Sequence, residues 1–437
     1  MISKRRFYPD RGMEDQTFKD RRYRIERKMT GEINLKEESI LFRKMNHKIP
    51  STTYGTFALY RYPAKFIPQV IAYIFDKYGY PGMSVFDPFA GYGTVGLVSK
   101  IYGYDYELWD LNPLLEIFHK VATMEAEEIY VGQVISEMKR FEGKFIPDWS
   151  NIEYWYPKDF LNFLYNIWGY YHSQDENLKL LLTIPLLKVT RYFSYDDTQR
   201  QKLSKSPKSI ARINSLLAND WKNAFYEKLI REINAIIDNI KEYHKLSPKP
   251  VRSIVRGGVD SLTRQLDEEK EILITSPPYL QAQQYIRQAK MDLFWLGYRE
   301  EEIKRLSKLE IPYREVDSCR IHSESYNYYK NLITEERLQK IFDRYFWGVL
   351  GALTNLQKRI RSYLFLFVGS ANIRGMPIPI DRIFAEHFTA LDWEHEITLK
   401  DTIVSRQLFF YIKNPATGLK DQRMRTENLV VLRRSKK

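Results

Sequence analysis

Cysteine is nearly absent from this 437-residue chain, with Cys319 the single copy. That excludes a disulfide framework and any cysteine zinc site. It argues against zinc deaminases, which need paired cysteine ligands. It also weakens a mechanism built on a Pro-Cys nucleophile, because Cys319 follows Asp317-Ser318 and not a proline. Histidine is scarce as well: the seven copies are scattered and no pair has HExxH spacing, so no metal is expected. No apolar run is long enough to cross a bilayer, which leaves no place for a membrane partner. Behind Met1-Ile2-Ser3-Lys4-Arg5-Arg6 there is no apolar signal core, so the expectation is an intracellular protein. Acid is in deficit: 55 Asp and Glu against 68 Lys and Arg leave a net charge of +13. That balance favours a polyanionic partner, nucleic acid first. A merely soluble basic protein is the bland alternative.

What is present is apolar surface. Hydrophobic residues make up 44% and aromatics 15%, enough for one large core with appended modules. The run Glu271-Ile272-Leu273-Ile274-Thr275 reads as a buried strand of a parallel sheet. It ends at Ser276-Pro277-Pro278-Tyr279, where two residues without N–H groups force the chain out of the ladder. In open α/β sheets ligands sit where strands end at their carboxyl edge. Ser276, the carbonyls beside Pro277 and Pro278, and the Tyr279 ring would then line a rigid pocket suited to a flat ring with an exocyclic amine. An ordinary Pro-rich turn is the competing reading.

A second signal lies upstream. Ser84 to Phe89 is a short strand, Ala90-Gly91-Tyr92-Gly93-Thr94 a tight turn, and Val95 to Lys100 opens a helix. Such a unit brings backbone close to a ligand. It is neither a dinucleotide fingerprint nor a phosphate loop, since no Gly-Lys-Ser/Thr follows. Asp87 stands at the strand exit, where a ligand's ammonium could sit. The next strand ends at Asp110-Leu111-Asn112-Pro113; an acid about 20 residues after a glycine turn is placed to bind ribose hydroxyls. A third strand, near 251–256, ends at Gly257-Gly258-Val259-Asp260, and Asp260 suits an adenine amino group. Before all of these, Tyr62-Pro63-Ala64-Lys65-Phe66 leads into a helix with Pro68 in its first turn.

The remainder sorts into modules. Residues 1–50 read as a basic arm, solvated or nucleic-acid-contacting. Residues 121–250 are mostly helical and rich in aromatics, most of them core. Within them a basic loop, with Arg200, Lys202, Lys205 and Lys208, carries groups that contact phosphates and base edges. Residues 300–332 are charged and irregular, a possible second nucleic-acid-contacting insertion through Arg314, Arg320 and His322. Tyr285 and Arg287 follow the Ser-Pro-Pro-Tyr exit and could hold a target. Beyond 332, helices at 335–360 and 381–393 alternate with strands at 363–369, 397–404, 409–413 and 429–433. This predicts a mostly parallel sheet with an antiparallel strand near the end.

Asp-Pro-Phe-Ala-Gly-Tyr-Gly-Thr at 87–94 together with Thr-Ser-Pro-Pro-Tyr at 275–279 resembles the S-adenosylmethionine-dependent amino-methyltransferases of DNA, in restriction–modification systems. The resemblance implies a class I methyltransferase, a Rossmann-like seven-stranded sheet, with catalytic parts at 51–120 and 251–437. It implies methyl transfer to N4 of a flipped-out cytosine in double-stranded DNA, with N6 of adenine or an RNA base amine as alternatives. Tyr62, Lys65, Phe66, Asp87, Pro88, Phe89, Gly91, Gly93, Thr94, Asp110, Asn112, Asp260 and Thr275 would hold the cofactor. A prokaryotic cytoplasm, association with the nucleoid through DNA, and a cognate restriction endonuclease are further expectations. The insertion at 121–250 is the candidate target-recognition region.

Overall fold

In the computed structural model, residues 35–45, 48–62, 65–125, 129–200, 203–280, 284–402 and 426–435 are described. Ten strands occur among them. They are β1 (Glu37–Ile40), β2 (Ser84–Asp87), β3 (Asp105–Asp110), β4 (Ser253–Gly257), β5 (Lys270–Thr275), β6 (Ile360–Gly369), β7 (Ala371–Ile373), β8 (Met376–Ile378), β9 (Trp393–Thr402) and β10 (Thr426–Arg434). Eight form one sheet in the order β1-β9-β10-β6-β5-β2-β3-β4, and β7 and β8 make a separate hairpin. β10 is antiparallel to both β6 and β9, while every other neighbouring pair is parallel. Seven of the eight strands are the expected set. The strand expected at 409–413 lies outside the described residues.

Alternation along the central strands builds two cores. Ile272 and Ile274 of β5 and Phe365 and Phe367 of β6 point into one cluster, which continues into the helices Pro68–Tyr78, Thr94–Tyr102 and Leu114–Thr123. Leu273, Leu364 and Leu366 point the other way, against the helices Glu336–Leu356 and Ile380–Thr389. Side chains on a strand alternate faces, so a continuous apolar run needs cover on both sides.

Two expectations are corrected. The arm is not wholly solvated: β1 adds an eighth strand beside β9, and the fully buried Phe42 ring packs edge-on to Tyr73 and Phe367. The 300–332 stretch is not irregular: it holds the helices Glu300–Lys308 and Glu324–Leu332. Arg314 within it donates from Nη1 to both oxygens of Asp260 at 2.8 Å. Burying a guanidinium demands a carboxylate, and Asp260 supplies it.

The insertion is helical as expected, with helices Val131–Arg140, Lys158–Ser173, Glu176–Tyr192, Pro207–Leu217 and Trp221–His244. Asp175, Ser206 and Asp220 each accept a backbone N–H at a helix start. These helices share the first core: Tyr243 donates to the Leu97 carbonyl at 2.9 Å, and its ring meets Phe57 edge-on.

Candidate active site

The strand order reverses direction at β2, which has β3 on one side and β5 on the other. At that switch point both signature exits emerge together. Thr275, the last residue of β5, donates from Oγ1 to Asp87 Oδ1 at 2.7 Å, and the Phe89 N–H donates to the same oxygen at 3.0 Å. Asp87 is therefore a buried strut. Its burial raises its carboxyl to about 7, against the donation from Thr275 and Phe89. Both bonds engage Oδ1, and Asp87 stands behind the cavity wall, not in it.

The glycine turn is shaped for close approach. Gly91 and Gly93 both have positive φ, 56° and 84°. A Cβ on Gly91 would come within 3.0 Å of the Tyr62 ring, and one on Gly93 within 3.0 Å of His119 Nδ1. Asp110, at the end of β3, accepts from the Gly91 N–H at 2.8 Å and the Asn112 N–H at 2.7 Å. Burial raises Asp110 to about 6 against those two donors. The turn and the acid form one rigid corner.

That corner opens on a cavity with about 700 Å³ of space not filled by protein, part of it open to solvent. Tyr62, Lys65 and Phe66 form one wall; Phe89, Gly91, Asp110 and Asn112 form the floor; Ser276, Pro278 and Tyr285 close the third side. Phe66 is stacked on Phe367 at 5.1 Å, and Tyr62 on Tyr285 at 6.4 Å. Lys65 donates to the Phe57 carbonyl and lies 5.1 Å from the Tyr92 ring, and burial lowers it to about 8. Tyr92 in turn donates to the Thr56 carbonyl at 2.8 Å, tying the glycine turn to the segment that carries Tyr62. The cavity's mixture of aromatic faces, one cation and an acid at a strand end fits a nucleoside bearing a zwitterionic amino acid. Pro63 and Ala64, between Tyr62 and Lys65, lie outside the described residues.

Other expected cofactor residues support this wall from behind. Pro88 accepts from Ser261 Oγ through its carbonyl. Thr94 and Thr275 are buried, and Pro277 is buried beside Pro278. Asp260 pairs with Arg314 and is not among the residues lining the cavity. Tyr279 does not line the cavity either: its hydroxyl donates to Glu427 Oε1 at 2.7 Å, at the start of β10.

The basic residues are dispersed. Arg200 lines a second cavity adjoining the first. Lys205 sits 3.7 Å from the Tyr154 ring and 4.4 Å from that of Tyr195. Lys208 and Arg287 are exposed, Arg287 donating to Gln284 Oε1 at 3.1 Å. Lys202 lies outside the described residues, as do Gln281 and Gln283.

Sequence reasoning missed Glu310. It lines the cavity, accepts from the Ile286 N–H at 2.8 Å, and is raised to about 7 by burial. The available signal was an acid enclosed by Leu309, Ile311 and Pro312. Among the described residues no group of three or more His, Cys, Asp or Glu could hold a metal ion, and no helix is long and apolar enough to cross a membrane.

The chain is 24% identical over 407 residues to the type II methyltransferase M.BsoBI of Geobacillus stearothermophilus, covering 84% of this chain and 75% of that protein. It is 21% identical over 376 residues to the type II methyltransferase M.MvaI of Kocuria varians, covering 76% and 81%. The chain resembles type II methyltransferases. No protein-family model matches it. A solved rRNA methyltransferase, aviRa from Streptomyces viridochromogenes, aligns over 86% of this chain and 88% of its own at 8% identity, with a TM-score of 0.26, too low to bear on fold or substrate.

Proposed function

We propose that this protein is a DNA methyltransferase that uses S-adenosylmethionine to methylate N4 of cytosine, as the protective half of a restriction–modification system. The observation that carries the reading is the single cavity walled by the glycine turn, Asp110 and Ser276-Pro278. Similarity to two type II methyltransferases supports it. The net charge of +13 suits a DNA partner.

The cofactor supplies a methyl group already activated on a sulfonium. This chain's residues do the rest. Asp110 accepts from the ribose hydroxyls, and Lys65 holds the amino-acid carboxylate. Ser276 Oγ and the Pro277 carbonyl accept hydrogen bonds from the two amino protons of the base. That favours a pyramidal nitrogen and frees its lone pair from the ring. Tyr279, whose hydroxyl is held by Glu427, stacks on a base that enters beside the cofactor cavity and not within it. Rate comes from positioning and electrostatics, without a covalent enzyme intermediate. A paired base cannot reach such a site, so the target is flipped out of the duplex.

Duplex DNA treated with the protein and tritium-labelled cofactor, then digested to nucleosides, tests this. Label in N4-methyl-2′-deoxycytidine is expected. Label only in N6-methyl-2′-deoxyadenosine would move the protein to the adenine branch, and label in a parallel tRNA reaction but not in duplex DNA would move it to RNA.

A further inference from the structure

A second cavity, with about 1220 Å³ of space not filled by protein, part of it open to solvent, adjoins the first and shares Tyr62, Asn112 and Tyr285 with it. Its far wall belongs to the insertion, through Lys188, Arg191, Thr198 and Arg200; its near wall is Tyr60, Arg61 and the helix face of Gln288 and Asp292. The insertion therefore reaches the methyl-transfer cavity directly and does not stand apart from it.

The charges in this chamber are unevenly satisfied. Arg191 is clamped by Asp196 at 2.8 Å and Asp292 at 3.4 Å, and Asp292 also accepts from Tyr60 at 2.9 Å. Lys188 pairs with Glu232 at 2.9 Å. These groups are structural: Arg191 and Asp292 tie the insertion to Tyr60, and Lys188 pairs within the insertion. Arg61 differs. It is exposed, its guanidinium donates to the Thr198 carbonyl, and no described carboxylate pairs with it. Arg200 reaches Asp197 only at 3.3 Å and keeps a mostly exposed side chain. Gln288 adds an independent observation. It is 8% exposed, and among the described residues its Nε2 has no hydrogen-bond partner. A buried donor left unpaired costs free energy unless a ligand completes it. Two under-used guanidinium groups and an orphaned amide donor all ask for an acceptor carrying negative charge.

We propose that this chamber is a phosphodiester site: it takes the DNA backbone beside the target nucleotide, with a phosphate held by Arg61 and Arg200 and an acceptor oxygen supplied to Gln288. The inference rests on the DNA methyltransferase reading and adds that insertion and catalytic core grip the backbone jointly. The site grips phosphate and carries no base identity, so its contribution is positional.

The test measures binding of the full chain to duplex DNA by fluorescence anisotropy across a salt series, in the presence of S-adenosylhomocysteine. Each phosphate contact contributes about 0.9 to the slope of log K against log salt. Arg61→Ala should weaken binding several-fold and lower the slope by about 0.9, Arg61→Lys should restore the slope, and Arg61→Ala with Arg200→Ala should lower it by about twice that. Gln288→Leu should weaken DNA binding without lowering unfolding stability, since it removes an unpaired donor. Calorimetry with S-adenosylhomocysteine should be unchanged in all of them. Unchanged slopes, with wild-type protein still binding and methylating duplex, would overturn the proposal and leave the DNA reading intact. A loss of S-adenosylhomocysteine affinity in Arg61→Ala, at constant DNA slope, would assign the cation to the cofactor's carboxylate and also overturn it. Wild-type protein that binds no duplex at any salt would remove the DNA reading and this proposal with it.

Discussion

Thr275 Oγ1 donates to Asp87 Oδ1 at 2.7 Å, joining the ends of β5 and β2. One residue beyond Thr275 is Ser276, in the cavity wall; two residues beyond Asp87 is Phe89, in the floor. The two signatures are 188 positions apart in the chain and are held in register by this hydrogen bond. Its worth is set by burial. A buried acceptor that loses its donor costs about 1–3 kcal/mol.

Thr275→Val keeps the shape and removes the donor. Urea unfolding should show a loss of about 1–3 kcal/mol, and Thr275→Ser should recover most of it. A variant as stable as wild type would mean that Asp87 finds another donor.

The raised carboxyl of Asp87 has a pH signature. Unfolded, it ionises near the ordinary carboxyl value of 3.8; folded, it holds its proton to about 7. Between those values the native state binds more protons, so its contribution to stability falls as pH rises from about 4 to about 7. Asp87→Asn still accepts from Thr275 and Phe89 but cannot ionise. Unfolding at pH 5 and pH 8 should show a smaller loss on going to pH 8 in Asp87→Asn than in wild type.

Lys65 should make cofactor binding pH-dependent. Burial lowers it to about 8, so the free protein loses this cation as pH rises through that value. Calorimetric affinity for S-adenosylhomocysteine should decline above about pH 8, and Lys65→Met should bind weakly with a flat profile over that range. A wild-type profile flat to pH 9 would separate Lys65 from the cofactor.

Ser276→Ala should leave cofactor affinity nearly unchanged and lower turnover on the order of 10–100-fold, as expected for one hydrogen bond felt in the transition state. Parallel loss of both quantities would instead make Ser276 part of the cofactor wall alone.

Phe42→Ala tests the anchor that follows the unexpected eighth strand. Phe42 is fully buried against Tyr73 and Phe367, so the loss should be about 3–5 kcal/mol. A change under about 1 kcal/mol by chemical unfolding would return the arm to a loosely held segment.

Local pattern determined much of this protein. The apolar runs at β5 and β6, the prolines at 277 and 278, and the glycines at 91 and 93 specified where strands end and where backbone is exposed to a ligand. These are short-range effects of missing N–H groups, missing Cβ atoms and alternating side chains. Ten expected residues, Ser276 and Asp110 among them, meet in one cavity for that reason. Tertiary structure decided how the charged groups are spent. Asp87 and Asp260 read alike in sequence, as acids at strand ends; one is bound by Thr275, the other by Arg314 from 54 positions away. Phe42 and Glu310 gave little local signal, because burial depends on what distant segments pack over a residue. A buried charge must find its partner wherever the fold brings one, and no spacing rule encodes that distance.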